Sequence, residues 1–217
     1  MKKGAVRKRS YSAGLRKEQA AMTRSRILEA ARRLLANGTY SSVRMEDIAG
    51  AAGVAPQTVY FVFKTKIRLA QEMIEAGFHV EGIEEMGADL SKSPDPEVWL
   101  RGAASISRMI QETCSDLLRF MRESGDTQLL DRYRAHQELR LAQEGFLPAA
   151  LRKMGRSRPG MSDEEVLSVI WAMTGPDVYS MLVFDRGWTP TRYEEWLGSA
   201  LIALLLTPGE GIRSSRG

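Results

Sequence analysis

Residues 23–69 read TRSRILEAARRLLANGTYSSVRMEDIAGAAGVAPQTVYFVFKTKIRL, and this stretch decides the fold. Ile27, Leu28, Ala31, Leu34 and Leu35 recur at helical spacing, with Arg24, Arg32 and Arg33 elsewhere, which predicts an amphipathic helix from about Glu18 to Ala36. Asn37-Gly38 ends it, because glycine tolerates the left-handed backbone of a helix C-terminus. A short helix from about Arg44 to Ala52 follows, with Met45, Ile48 and Ala49 inward, and Gly53 marks a sharp turn. Pro56 suits the first turn of a third helix running to Phe63. A fourth is predicted from about Thr65 past Phe78 to about Met86.

Two short helices joined by a tight turn after a longer one describe a helix-turn-helix. In the third helix Val59, Val62 and Phe63 share one apolar face, expected to pack on Ile48 and Leu34. Gln57, Tyr60 and Phe61 share another, free to enter a DNA major groove. An amide such as that of Gln57 pairs with adenine N6 and N7, Thr58 can reach a phosphate or a base edge, and Phe61 can meet a thymine methyl. The Tyr60 hydroxyl suits a phosphate, with core packing of its ring as the rival reading. Lys66, at the start of the next helix, can reach the DNA backbone.

The same residues resemble the DNA-binding domain of the TetR family of transcriptional regulators. The features that carry the resemblance are the ILEAA helix, a glycine and an aromatic after it, DIA-x-AAGV, the TVY recognition helix and F-x-x-K, all in order within about 50 residues. The resemblance implies a homodimer, an N-terminal helix-turn-helix, and a larger helical C-terminal domain that dimerises and binds a small inducer. It also implies a repressor released from DNA by that ligand. The stretch WAMTGPDVYSMLVFDRGWTPTRYEEWL resembles a variant of that C-terminal domain less specifically. Arg44 and Ala55 stand where the family often has a capping Ser or Thr, and a lost cap costs about 1 kcal/mol. Arg44 can instead meet a phosphate. Val62 stands where the family often places a polar residue.

Charge supports a nucleic-acid-facing module. Residues 1–70 hold 15 Lys and Arg against 4 Asp and Glu, a balance of +11, whereas residues 71–217 carry 16 against 23, a balance of −7. Residues 1–20 read as a basic disordered arm, which can enter a minor groove or remain a solvated tail. No apolar region follows the basic N-terminus, so no secretory signal is expected. The longest uninterrupted apolar run, Ala200 to Leu206, falls far short of the roughly 20 residues of a bilayer span, so no membrane association is expected. A single cysteine, Cys114, reads as a packed thiol in a cytoplasmic protein. With His79 and His136 the only histidines, neither a metal nor a cofactor nor enzymatic catalysis is expected.

The rest of the 217-residue chain reads as helix without strand signals. Helices are predicted over about 97–123, 127–154 with a bend at Pro148, 162–173, 177–184 and 189–206. Ser162 to Glu165 form a capping box, and Asp95-Pro96 and Thr189-Pro190 are helix starts. The fold class is all-α, with domains at 21–80 (helix-turn-helix) and 81–207 (regulation and dimerisation) and a flexible tail at 208–217. The last helices, with Trp171, Met181, Leu182, Trp196, Leu197, Leu201 and Leu204, are expected to form a four-helix dimer interface. Methionine and tryptophan in the acidic part suit a cavity for an apolar or aromatic effector, whose lining residues the sequence does not select. The expected DNA-contacting residues are thus Arg44, Gln57, Thr58, Tyr60, Phe61 and Lys66, on a palindromic duplex operator. The competing reading is a helical small-molecule-binding protein or enzyme with a basic N-terminal bundle.

Overall fold

The structure is a computed structural model that describes residues 4–208, with side chains from residue 14 onward except Asn37. Helices α1 (Gly4–Asn37), α2 (Met45–Ala52), α3 (Pro56–Phe63) and α4 (Lys66–Gly77) come first. Then follow α5 (Ile83–Leu90), α6 (Pro96–Glu123), α7 (Thr127–Glu144), α8 (Leu147–Lys153) and α9 (Asp163–Met173). The chain ends through α10 (Pro176–Tyr179), a π-helical turn at Ser180–Asp185, and α11 (Pro190–Leu205). Among the described residues there is no strand; one antiparallel bridge, Ser157 to Leu206, ties the loop after α8 to the end of α11.

The chain divides into two compact units. The first runs to His79 and takes in Arg119–Leu130; the second comprises Val80–Leu118 and the chain from Asp131. The units meet between His79 and Val80, and the 119–130 segment goes with the first unit. Its attachments are visible: Phe120 stacks edge-on against Tyr40 at 5.9 Å, and Arg119 donates to the Ala36 carbonyl at 3.0 Å.

Three expectations need correction. The arm expected over 1–20 is helical from Gly4, where α1 begins; residues 1–3 and the tail from 209 lie outside the described residues. Residues 4–20 hold three Ala, three Arg and two Lys, which favour helix without needing burial. The expected Thr65–Met86 helix stops at Gly77, and α5 starts anew after Gly82, whose φ of +81° a side chain would resist. The expected 127–154 helix breaks at Gly145-Phe146 rather than bending at Pro148, which takes the early-turn position of α8 that its missing N–H favours.

The first core is wholly apolar. Ile27, Ala31 and Leu35 of α1, Ile48 and Ala49 of α2, Val59 and Phe63 of α3 and Leu69 of α4 are essentially inaccessible. Leu34, expected to receive the third helix, is only half-buried, and Leu35 takes the inward place. In the second unit α11 turns Tyr193, Leu197, Leu201 and Leu205 inward with Leu100, Ala104 and Ile170. A Cβ built on Gly198 would lie 3.5 Å from Arg101 Cα and 3.7 Å from Ala104 Cβ, so α11 approaches α6 closely there. Leu197 and Leu201, expected at a dimer interface, are fully buried within the subunit and belong to its own core. Glu194 of α11 pairs with Arg108 and accepts from Ser105, both on α6.

Candidate nucleic-acid interface and ligand cavity

The turn before α3 is fixed by Gly53, with φ +64°, whose N–H reaches the Gly50 carbonyl at 3.1 Å while Val54 N–H reaches Ala49 at 3.0 Å. Arg26 of α1 donates to the carbonyls of Ala52 and Gly53 and so ties the turn to the first helix. Arg44 precedes α2 without a side-chain cap, but Asp47 accepts its backbone N–H at 2.8 Å, which replaces half of the missing cap. Ala55 offers no cap to α3, and Pro56 sits in the first turn instead.

The six expected contact residues divide in the structure. Gln57, Tyr60 and Phe61 share the exposed face of α3, opposite Val59 and Phe63. Phe61 is 77% exposed, an unusual position for a phenylalanine, and Tyr60 is 44% exposed, so its ring is not core. The Tyr60 hydroxyl donates to Glu46 at 3.1 Å, a bond that raises its pKa. Thr58 is half-buried beside this face. Arg44 projects from the start of α2 with a side chain 77% exposed, 3.9 Å from Glu46. Lys66 is drawn inward: its ammonium donates to the Tyr40 carbonyl and lies 4.5 Å from the Tyr40 ring, and burial lowers its pKa.

Lys64 is the residue that sequence reasoning missed. It lies seven after Gln57 and so completes the 57–60–61 stripe, with its ammonium 4.9 Å from the Phe61 ring. Its backbone is strained: φ is +63° and ψ −52°, and Thr65 N–H closes a γ-turn onto Phe63 at 2.7 Å. The heptad spacing was the available signal. The backbone turn was not, since nothing marks Lys64 as a left-handed position.

The second unit holds a cavity of about 390 Å³ that is partly open to solvent. Its apolar walls come from α5 (Ile83, Leu90), α6 (Ile106, Ile110) and Phe146, with Trp99 at 5.9 Å from Phe146. Its polar wall is Ser107 and Gln111 of α6, Arg140 and Glu144 of α7, and Thr174 after α9. The methionines expected as adaptable walls do not line it, and of the tryptophans only Trp99 does.

The polar wall follows from how α9 ends. Gly175-Pro176 interrupts the helix and leaves its last carbonyls without their usual donors. Arg140 supplies one, donating to the Trp171 carbonyl at 2.9 Å and to the Thr174 hydroxyl at 3.2 Å, with its guanidinium 4.9 Å from the Trp171 ring. Ser107 donates to the Thr174 carbonyl at 3.0 Å. Tyr193 lies 3.0 Å from the same serine oxygen, and burial pushes its pKa up to about 12. Glu144, one turn beyond Arg140, lies 4.0 Å from it, and desolvation raises its pKa against the pull of that arginine. His136 on the same helix is half-buried, which lowers its pKa.

Residues 27–73, spanning α1 to α4, match the family of bacterial regulatory proteins, tetR family. That segment carries the family's N-terminal domain. Within it, α2 and α3 form the helix-turn-helix. Comparison with curated protein sequences returns no match. Among solved structures the TetR fold extends over most of the chain. NalD from Pseudomonas aeruginosa, the secondary repressor of the MexAB-OprM multidrug efflux pump, is 23% identical over 88% of this chain and all of its own, with a TM-score of 0.67. The MbdR regulator from Azoarcus sp. CIB is 18% identical over 85% of this chain and all of its own, with a TM-score of 0.69. FadR from Bacillus subtilis, solved with stearoyl-CoA, is 17% identical over 82% of this chain and 97% of its own, with a TM-score of 0.62. At these identities the likeness is one of fold.

Proposed function

We propose that this protein is a cytoplasmic, homodimeric transcriptional repressor that binds a palindromic operator and is released from it by a small molecule held in the second unit. It is a binding protein and not an enzyme. The observation that carries the reading is the solvent-facing stripe of Gln57, Tyr60, Phe61 and Lys64 on α3, because an exposed phenylalanine beside an amide and a cation suits the edges of bases. Thr58 and Arg44 flank it as contacts to the DNA backbone, and Lys66 keeps donor capacity for a phosphate beyond its bond to Tyr40.

The dimer reading rests on apolar surface left uncovered. Met181, Phe184 and Leu204 are 52, 56 and 40% exposed, on the π turn and on α11. By length and composition the stretch Asp163–Asp185 is apolar enough to cross a membrane. Val166, Ile170 and Tyr179 place it in the core of the second unit, and a partner's equivalent helices would cover its outer face. The effector reading rests on the cavity, whose size suits a small molecule. FadR, solved with stearoyl-CoA, shares the fold and is consistent with a ligand there.

Selection of bound sequences from a random duplex library by the purified protein tests the proposal. A palindromic consensus with two half-sites is the expected result, and binding without sequence choice would refute it. Sedimentation of the Met181→Glu, Leu204→Glu double variant tests the dimer: a folded monomer is expected, and an unchanged dimer would move the interface elsewhere.

A further inference from the structure

Two buried oxygens of the polar wall have no protein group donating to them. Gln111 is 2% exposed, and its amide N–H reaches the Thr174 carbonyl at 3.4 Å. The reverse orientation would set two oxygens against each other, so Oε1 is the atom left without a partner. Glu144 Oε2 is also without one. Its other oxygen lies 3.2 Å from the Thr174 hydroxyl, but that hydroxyl has one proton and lies closer, at 2.8 Å, to the Ile170 carbonyl. The carboxylate therefore has no committed hydrogen-bond donor. Arg140 stands 4.0 Å away, with both terminal nitrogens engaged and Nε unpartnered. Buried polar atoms left this way are costly and uncommon.

Charge narrows what can meet them. Arg140 and Glu144 together are neutral, so the cavity favours neither sign. A cationic ligand on Glu144 would meet the Arg140 guanidinium at the same carboxylate. An anionic ligand would find only Nε free on Arg140 and would face Glu144. A neutral molecule with an N–H or O–H group would satisfy an unpartnered acceptor without upsetting the pair, while Ile83, Ile106, Ile110 and Phe146 take an apolar body.

We propose that the effector of this cavity is an uncharged, largely apolar molecule that donates one hydrogen bond to the Glu144–Gln111 acceptors. The proposal rests on the reading of the cavity as the effector site. Four probes built on one ring system test it against the full-length protein by titration calorimetry at neutral pH: para-phenylphenol, biphenyl, para-phenylbenzoate and para-phenylbenzylamine. The phenol is expected to bind about tenfold tighter than biphenyl, the size of one hydrogen bond to a charged group, and tighter than either charged probe. Glu144→Gln, which leaves the arginine's charge unopposed, should raise the affinity of the benzoate relative to the phenol. Equal binding of phenol and biphenyl, a charged probe binding tightest, or an unchanged benzoate-to-phenol affinity ratio in folded Glu144→Gln would overturn the proposal and leave the cavity reading standing. Should that variant not fold, the order of the four probes on the unaltered protein decides. If none of the four binds, the cavity reading itself falls, and this proposal with it.

Discussion

The two units differ in what they bury. In the first, α1 to α4 close over aliphatic side chains and Phe63, and polar groups stay at the rim. In the second, the core borders Ser107, Gln111 and Thr174, the three buried polar side chains among the described residues, with the largely buried Arg140–Glu144 pair beside them. An apolar core holds one shape, which a helix that must enter a groove of fixed width requires. A core with unpartnered oxygens gives up stability, and the loss is recovered when a ligand meets them. On the proposed reading, one unit presents a surface and the other is completed by a ligand.

The largest test of this contrast is Phe63→Ala. Phe63 is fully buried, and Arg24, which pairs with Glu72, stacks over its ring at 5.1 Å. The expected loss is about 3–5 kcal/mol on chemical denaturation, with DNA binding lost alongside. A loss confined to DNA affinity would mean the first unit is less of a single core than described. Next in size, Gln57→Ala should cost about 1–3 kcal/mol in binding to the preferred operator and relax base choice at one position of each half-site. Its melting temperature should not change, since Gln57 is exposed.

In the second unit the sign should reverse. Gln111→Leu exchanges an amide with an unpartnered oxygen for an apolar group of similar size, and should stabilise by about 1 kcal/mol while weakening effector binding. Destabilisation would show that the bond to the Thr174 carbonyl outweighs the unpartnered oxygen. The smallest effect should come from Lys64→Gly. Glycine removes the strain of the positive φ but adds chain entropy to the unfolded state, and the balance should be a gain of about 0.5 kcal/mol. Affinity for DNA should fall, separating a residue's contribution to function from its cost to the fold.

Much of the first unit was legible because its signals are local. Gly38, Gly53 and Pro56 punctuate the chain, and the buried and exposed faces of α3 follow from spacing within eight residues. Lys64 escaped because its turn is imposed by the meeting of α3 and α4. The second unit was legible as helices but not as a site. Arg140 and Glu144 stand at i, i+4, the spacing of an ordinary surface pair, on a helix charged around much of its circumference. Their burial depends on α9 ending opposite them, a fact of tertiary packing. Part of the cavity's aliphatic wall likewise comes from α5, whose start after Gly82 no periodicity announced.

Helix α5 buries none of its own residues, yet it forms one wall of the cavity. It is seated by a notch: Leu90 sits against Gly102 of α6 so closely that a Cβ built there would lie 2.3 Å from its methyl carbon. A single base change converts a glycine codon to alanine, and at residue 102 that change would drive Leu90 off its seat and redraw the cavity wall. Descendants of this gene thus have a one-step route to a different chemical vocabulary that leaves the exposed face of α3 untouched, and a sensor-engineering library would do well to begin at that position.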